Sequence, residues 1–220
     1  MNVELIGFTP NPEKLPAMSA KLTHSKTKPE DLDKSSDKEL MSVLEHVMKL
    51  GHTSVVEHTS FTFAISDVSR SLTHQLVRHR IASYAQQSQR YVNLKEPNYV
   101  VPPKIAKDKK MKKAYDQTMK NIWEQYNKLL DLGIPAEDSR YVLPNATCTN
   151  IIVTMNARSL LNFFELRCCL NAQWEIRNLA NRMLRVVKKV APTIFKNAGP
   201  ACKSKGICPE NNKNCSLYPK

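Results

Sequence analysis

Between residues 37 and 50 the apolar positions recur at helical spacing, with Leu40, Met41, Leu44, Val47 and Met48 on one face. Ser36 is a suitable N-cap and Gly51 a suitable stop, so a helix is expected from about Asp37 to Leu50. Ahead of it, Val3 to Phe8 reads as a short opening strand. Residues 10–36 are rich in Pro, Lys, Ser and Thr and read as a long loop with room for one short helix.

The period changes at residue 60. Phe61, Phe63 and Ile65 alternate with Thr62 and Ala64, which predicts a half-buried strand over Ser60–Ser66. Helical spacing returns from Ser69 to Arg80 through Leu72, Leu76 and His79. That places Arg78-His79-Arg80 at the C-terminal end of a helix, where the backbone dipole favours cations, with the following Ser/Arg segment on a loop. Tyr91 to Val101 has β-rich composition and is stopped by Pro102-Pro103.

Lys104 to Lys113 is a basic run that leads into a helical pattern ending near Leu132; such a run is the solvated face of a helix. Pro135 starts a short helix carrying Arg140, and Thr147 to Thr154 is β-prone. Asn156–Leu170 and Ala172–Val190 read as two helices, with Leu160, Leu161, Phe164, Ile176, Leu179, Met183 and Val187 facing inward. From Asn197 the chain is a polar, Cys-containing tail of little predicted order. No internal repeat or boundary interrupts residues 1–220, so a single catalytic domain is expected. Helices outnumber strands and do not alternate with them regularly. The expected class is α+β, a mixed or antiparallel sheet packed by several long helices.

Composition narrows the function. The chain has 220 residues, 41% of them hydrophobic, enough for a sizeable core. A net charge of +13 points to anionic partners. The longest charge-free run, between Arg140 and Arg158, contains Pro144, three Asn and three Thr, so no membrane span is expected. The N-terminus has neither a basic start nor an apolar signal core, so the expected location is the cytoplasm. Only five Gly are present, too far apart for a G-x-G-x-x-G turn or a P-loop, which excludes a Rossmann or Walker-type nucleotide site.

None of the six Cys forms a C-x-x-C pair, and a reducing compartment would leave them as thiols. Cys202, Cys208 and Cys215 are loosely spaced with no His in the tail to complete a zinc set, and Cys168-Cys169 suits packing. His52 and His58 lie six apart, so a helix would not place them on one face. No metal is expected.

The chemistry concentrates in Arg78-His79-Arg80 and in Ser88-Gln89-Arg90. Arginine forks suit phosphates and carboxylates, and Gln75 precedes Arg78 at helical spacing. Arg78-His79-Arg80, seven residues and then Ser88 resembles the motif of flavin-dependent thymidylate synthases. Gly51-His52-Thr53-Ser54-Val55-Val56-Glu57-His58, Arg140-Tyr141-Val142-Leu143-Pro144, Asn156-Ala157-Arg158-Ser159-Leu160, and Ala172-Gln173-Trp174-Glu175-Ile176 resemble further blocks of that family, in order along most of the chain.

The resemblance implies a homotetramer, with active sites between subunits, that methylates dUMP to dTMP. Methylenetetrahydrofolate gives the carbon, FAD carries the hydride and NADPH is the reductant, with no nucleophilic Cys in the protein. It implies flavin contacts at His52, Ser54, Arg78, His79, Arg80, Gln86, Asn156, Arg158 and Asn162. It implies nucleotide contacts at Gln75, Arg78, Gln86, Gln87, Ser88, Gln89, Arg90, Arg140 and Arg167, with Arg90 and Arg140 on the phosphate. Arg167 is implied as the catalytic group that polarises the uracil. Two positions depart from the common pattern: Gln86 stands where many members carry Glu, and Asn171 where many carry His. Apart from the resemblance, the residues leave open a basic nucleic-acid-binding module or a flavin reductase of another substrate. Against the first, only 7% of residues are aromatic, with no basic–aromatic interleaving.

Overall fold

The computed structural model describes residues 1–219. In chain order the elements are β1 (Asn2–Phe8), α1 (Lys14–His24), α2 (Asp37–Lys49), β2 (Ser60–Ser69), α3 (Arg70–Leu76) and β3 (Ser83–Gln86). They continue as α4 (Pro103–Ala106), α5 (Lys109–Asp131), α6 (Ala136–Ser139), β4 (Cys148–Asn156), α7 (Ala157–Arg167), α8 (Trp174–Val190) and α9 (Ala201–Ser204). Short 3-10 helices cover Pro29–Lys34, Thr53–His58 and Arg140–Val142. The four strands form one antiparallel sheet in the order β1-β2-β4-β3, and the class is α+β.

The predicted helix α2 forms with its expected ends. Ser36 Oγ accepts from the Glu39 N–H at 3.3 Å, and Gly51 follows the last turn at φ 77°, a left-handed conformation glycine tolerates. Strand β2 buries Phe61, Phe63 and Ile65 as the alternation requires, and β4 buries Thr149, Ile151, Val153 and Met155 in the same period.

The segment 10–36 contains its one expected short helix as the 11-residue α1, whose buried face is Pro16, Ala17 and Ala20. Residues so small give little hydrophobic periodicity to read. Three local expectations are corrected. The helix after β2 stops at Leu76 rather than Arg80, because Leu76 is its last buried apolar residue and Val77 is 43% exposed. Arg78-His79-Arg80 therefore lies beyond the helix. Tyr91–Val101 forms no strand; its one bridge is Tyr99 to Thr147. Conversely, Ser83–Gln86 is a short edge strand that no alternation announced.

The chain divides into two compact units. One comprises 1–2, 65–78 and 84–152, and its interior holds Val68, Leu72, Leu76, Met119, Trp123 and Tyr126. The other comprises 3–64, 79–83 and 153–220. It contains a run of ring contacts: Phe8 on Phe61, Phe61 on Phe195, Phe195 on Phe164, Phe164 on Phe163, and Phe163 on His79. All but the first are edge-to-face, with centroids 4.9 to 5.9 Å apart, the preferred geometry for rings with negative faces and positive edges. In the tail, α9 follows Pro200, and Lys205 pairs with Glu165 of α7 at 2.7 Å.

Candidate active site

Helix α7 carries one set of candidate side chains. Asn156 caps it, with Oδ1 accepting from the Ser159 N–H at 2.9 Å, so part of that side chain is structural. Arg158 and Asn162 are four residues apart, share a face, and are exposed. Arg158 is ion-paired with Glu57 in the turn that follows His52, which ties the His52–Ser54 segment to the start of α7. His52, Ser54, Arg80 and Asn162 are exposed, and their side chains make no hydrogen bond among the described residues. Cationic and hydrogen-bond-donating groups left open to solvent are the donor set that a pyrophosphate-bearing cofactor requires.

At the far end of α7, Arg167 Nε donates to Nε2 of His79 at 3.0 Å. For Nε2 to accept, the imidazole must be neutral, with its proton on Nδ1. Its basicity agrees: burial first, and the Arg167 cation second, push the His79 pKa down to about 4. Phe163, itself fully buried, abuts the ring edge-to-face at 4.9 Å and fixes its plane. A neutral acceptor on Nε orients the guanidinium and preserves its charge, since arginine does not deprotonate in proteins.

The other unit holds the second set. Gln86 closes β3, with Nε2 3.1 Å from Thr73 Oγ1 and 3.3 Å from Thr149 Oγ1. Gln87 Oε1 accepts from Asn150 Nδ2 at 3.0 Å. Ser88 Oγ accepts from the Arg90 N–H at 3.1 Å, a local turn contact. Arg90 is ion-paired with Glu137, and Arg140 Nε donates to the Glu137 carbonyl at 3.0 Å, so one residue holds both candidate phosphate arginines. Gln89 Nε2 is buried with no hydrogen-bond partner among the described residues. Gln75 is half-buried in α3. Arg78 is exposed, its backbone N–H donating to the Gln75 carbonyl at 3.4 Å. A cavity of about 190 Å³ adjoins this set, bounded in part by Gln87, Asn98, Trp123, Thr149 and Asn150.

Several of these contributors escaped sequence reasoning. Glu57 lies inside a quoted motif, yet nothing local pairs it with Arg158. Glu137 stands three residues before Arg140, a weak helical signal. Arg70 is held below its ordinary pKa, chiefly by burial and then by the nearby Arg140 cation, so a third arginine belongs to this region. Thr73 and Thr149 carried no signal at all. Asn171, one of the two departures, donates to Glu210 at 3.1 Å. Of the thiols, Cys148 lines the cavity beside the second set. Cys168 is buried, and burial pushes its pKa up to about 12. Among the described residues no group of His, Cys, Asp or Glu is arranged to hold a metal.

An α+β chain with an arginine held on a neutral histidine, and a second arginine cluster on its own scaffold, defines a class. A family model described as Thymidylate synthase complementing protein matches residues 4–193. This chain belongs to that family, whose members similar to it are named flavin-dependent thymidylate synthase. The protein of that name from Clostridium tetani is 50% identical over 232 residues, covering 98% of this chain and 93% of its own. The one from Geobacter sulfurreducens is 50% identical over 218 residues, covering 98% and 94%. Among solved structures, a UMP/dUMP methylase, PolB, from Streptomyces cacaoi bound with 5-Br dUMP shares the fold. Its TM-score is 0.75 at 24% identity, with 89% of this chain and 93% of that chain covered.

Proposed function

We propose that this enzyme methylates dUMP to dTMP, with methylenetetrahydrofolate as carbon donor, FAD as hydride carrier and NADPH as reductant. The observation that carries the reading is Arg167, oriented through Nε at 3.0 Å on a neutral His79. FAD, when bound, supplies hydride transfer. His52, Ser54, Arg78, His79, Arg80, Gln86, Asn156, Arg158 and Asn162 would hold it. Gln75, Gln87, Ser88 and Gln89 bind the nucleotide, and Arg90 and Arg140 its phosphate.

Arg167 places a fixed positive charge beside the uracil. Negative charge developing on the ring is stabilised there, which raises the nucleophilicity of carbon 5. Arg167 cannot act as a base, because it holds its proton throughout. No thiol nucleophile is needed, and the desolvated Cys168 is unsuited to be one. The reading extends to a single catalytic domain working as a homotetramer with active sites between subunits, in the cytoplasm. No helix among the described residues is long and apolar enough to cross a membrane.

The deciding experiment is the anaerobic visible spectrum of the purified protein during NADPH addition, with and without dUMP. Flavin bleaching whose rate dUMP changes supports the reading. Bound flavin indifferent to dUMP refutes the substrate, and failure to bind added FAD refutes the flavoenzyme.

A further inference from the structure

We propose that Thr73 and Thr149 are positioning residues that lock the Gln86 amide with its carbonyl oxygen outward. Residue 86 then serves as a neutral hydrogen-bond acceptor for an N–H or O–H of the bound pyrimidine nucleotide. This role rests on dUMP being the substrate.

The two ends of a primary amide are nearly the same shape, so the surrounding donors and acceptors decide which end points where. Gln86 meets Thr73 of α3 at 3.1 Å and Thr149 of β4 at 3.3 Å. Both threonines are buried, at 2% and 3% exposure, so water does not compensate a mismatch. A threonine hydroxyl has one proton. That of Thr73 is donated to the Arg70 carbonyl one turn back, at 3.1 Å. Towards Gln86, Thr73 therefore offers lone pairs alone, and a donor must face it. The NH2 group satisfies both threonines together.

The reversed amide would set Oε1 against the lone pairs of Thr73. With the NH2 engaged, Oε1 is left over. It makes no hydrogen bond among the described residues, and it is not among the buried unpartnered atoms. An accessible acceptor without a protein partner, one residue from Gln87 and two from Ser88, is placed for a ligand.

The test uses full-length, flavin-loaded protein with Thr73→Val and Thr149→Val combined, against the Thr73→Ser/Thr149→Ser pair. Valine keeps the shape and removes the hydroxyls; serine keeps the hydroxyls. The dUMP dissociation constant is read from the perturbation of flavin absorbance, and FAD affinity from its fluorescence. The valine pair is expected to weaken dUMP binding roughly tenfold, the scale of one oriented hydrogen bond. The serine pair should restore binding. Should the double variant fail to fold, Thr149→Val alone, with an expected loss of about threefold, carries the test. Unchanged dUMP binding in folded variants, or a loss that serine does not restore, would overturn the proposal. If the unaltered protein binds FAD but not dUMP, the substrate assignment fails first, and no variant is needed to see it.

Discussion

Replacing His79 by Leu removes the acceptor beneath Arg167 while leaving an apolar group against Phe163. The bond lost is 3.0 Å long, half-buried, and made by a charged donor. Hydrogen bonds to charged groups contribute about 1.5–3 kcal/mol. At 1.36 kcal/mol per tenfold, the expected fall in kcat/KM for dUMP is roughly 10- to 150-fold. The assay is the initial rate of dTMP formation at matched flavin loading, so that lost cofactor is not mistaken for lost orientation. A double-mutant cycle with Arg167→Ala isolates the link: if His79 acts through Arg167, the His79→Leu penalty largely vanishes once Arg167 is absent.

The pH dependence follows from the same pair. An ordinary histidine titrates near 6.5, but His79 is pushed down to about 4. It is therefore neutral throughout the range above pH 6, and it should add no step to the rate profile between pH 6 and 8. Stability has the opposite sensitivity. The folded-state value is depressed, so the unfolded chain takes up the proton first. Stability is then fully present above about pH 6.5 and falls as the pH drops towards 4, more steeply than in His79→Leu. A rate step near pH 6.5 that disappears in His79→Leu, or a flavin-loaded His79→Leu enzyme within twofold of the original kcat/KM, would refute the reasoning.

Arg167→Ala should keep its flavin spectrum yet lose most methylation, by about 10²–10³-fold in kcat if its role is charge stabilisation; single-turnover rates check this. Ser88→Ala should stay partly active, because its hydroxyl accepts from the Arg90 N–H and holds a local turn, a contribution of about 1 kcal/mol. Complete inactivity in folded, flavin-loaded Ser88→Ala would make Ser88 a nucleophile. Phe164→Ala should lower unfolding stability by about 3–5 kcal/mol in urea denaturation, because the ring is fully buried between Phe163 and Phe195.

The elements legible in the sequence were those whose one-dimensional pattern matches their burial. Helix α2 and strands β2 and β4 alternate or recur so regularly that burial on one face follows from period alone. The position of helix α1 within 10–36 was not legible, because its packed face is two alanines and a proline. Strand β3 was not, because the residues Ser83 to Gln86 carry no alternation and a short edge strand takes its conformation from the neighbour it pairs with.

The candidate site divides in the same way. Residue types and spacing singled out Arg78-His79-Arg80 and Ser88-Gln89-Arg90, because a cluster of forked cations with a hydroxyl announces an anionic ligand wherever it folds; Arg140 and Arg167 entered only through the family resemblance. The site's internal wiring depended on packing. The His79–Arg167 bond spans 88 residues, and Gln86 reaches Thr149 across 63. No local period carries such pairings. The protonation state of His79 was equally out of reach, since pKa is a property of the surroundings: desolvation and the Arg167 charge exist only once the chain is folded. The sequence by itself determined which chemistry the chain could carry. Only the tertiary structure decided which imidazole stays neutral, which amide end faces outward and which arginine is held in place.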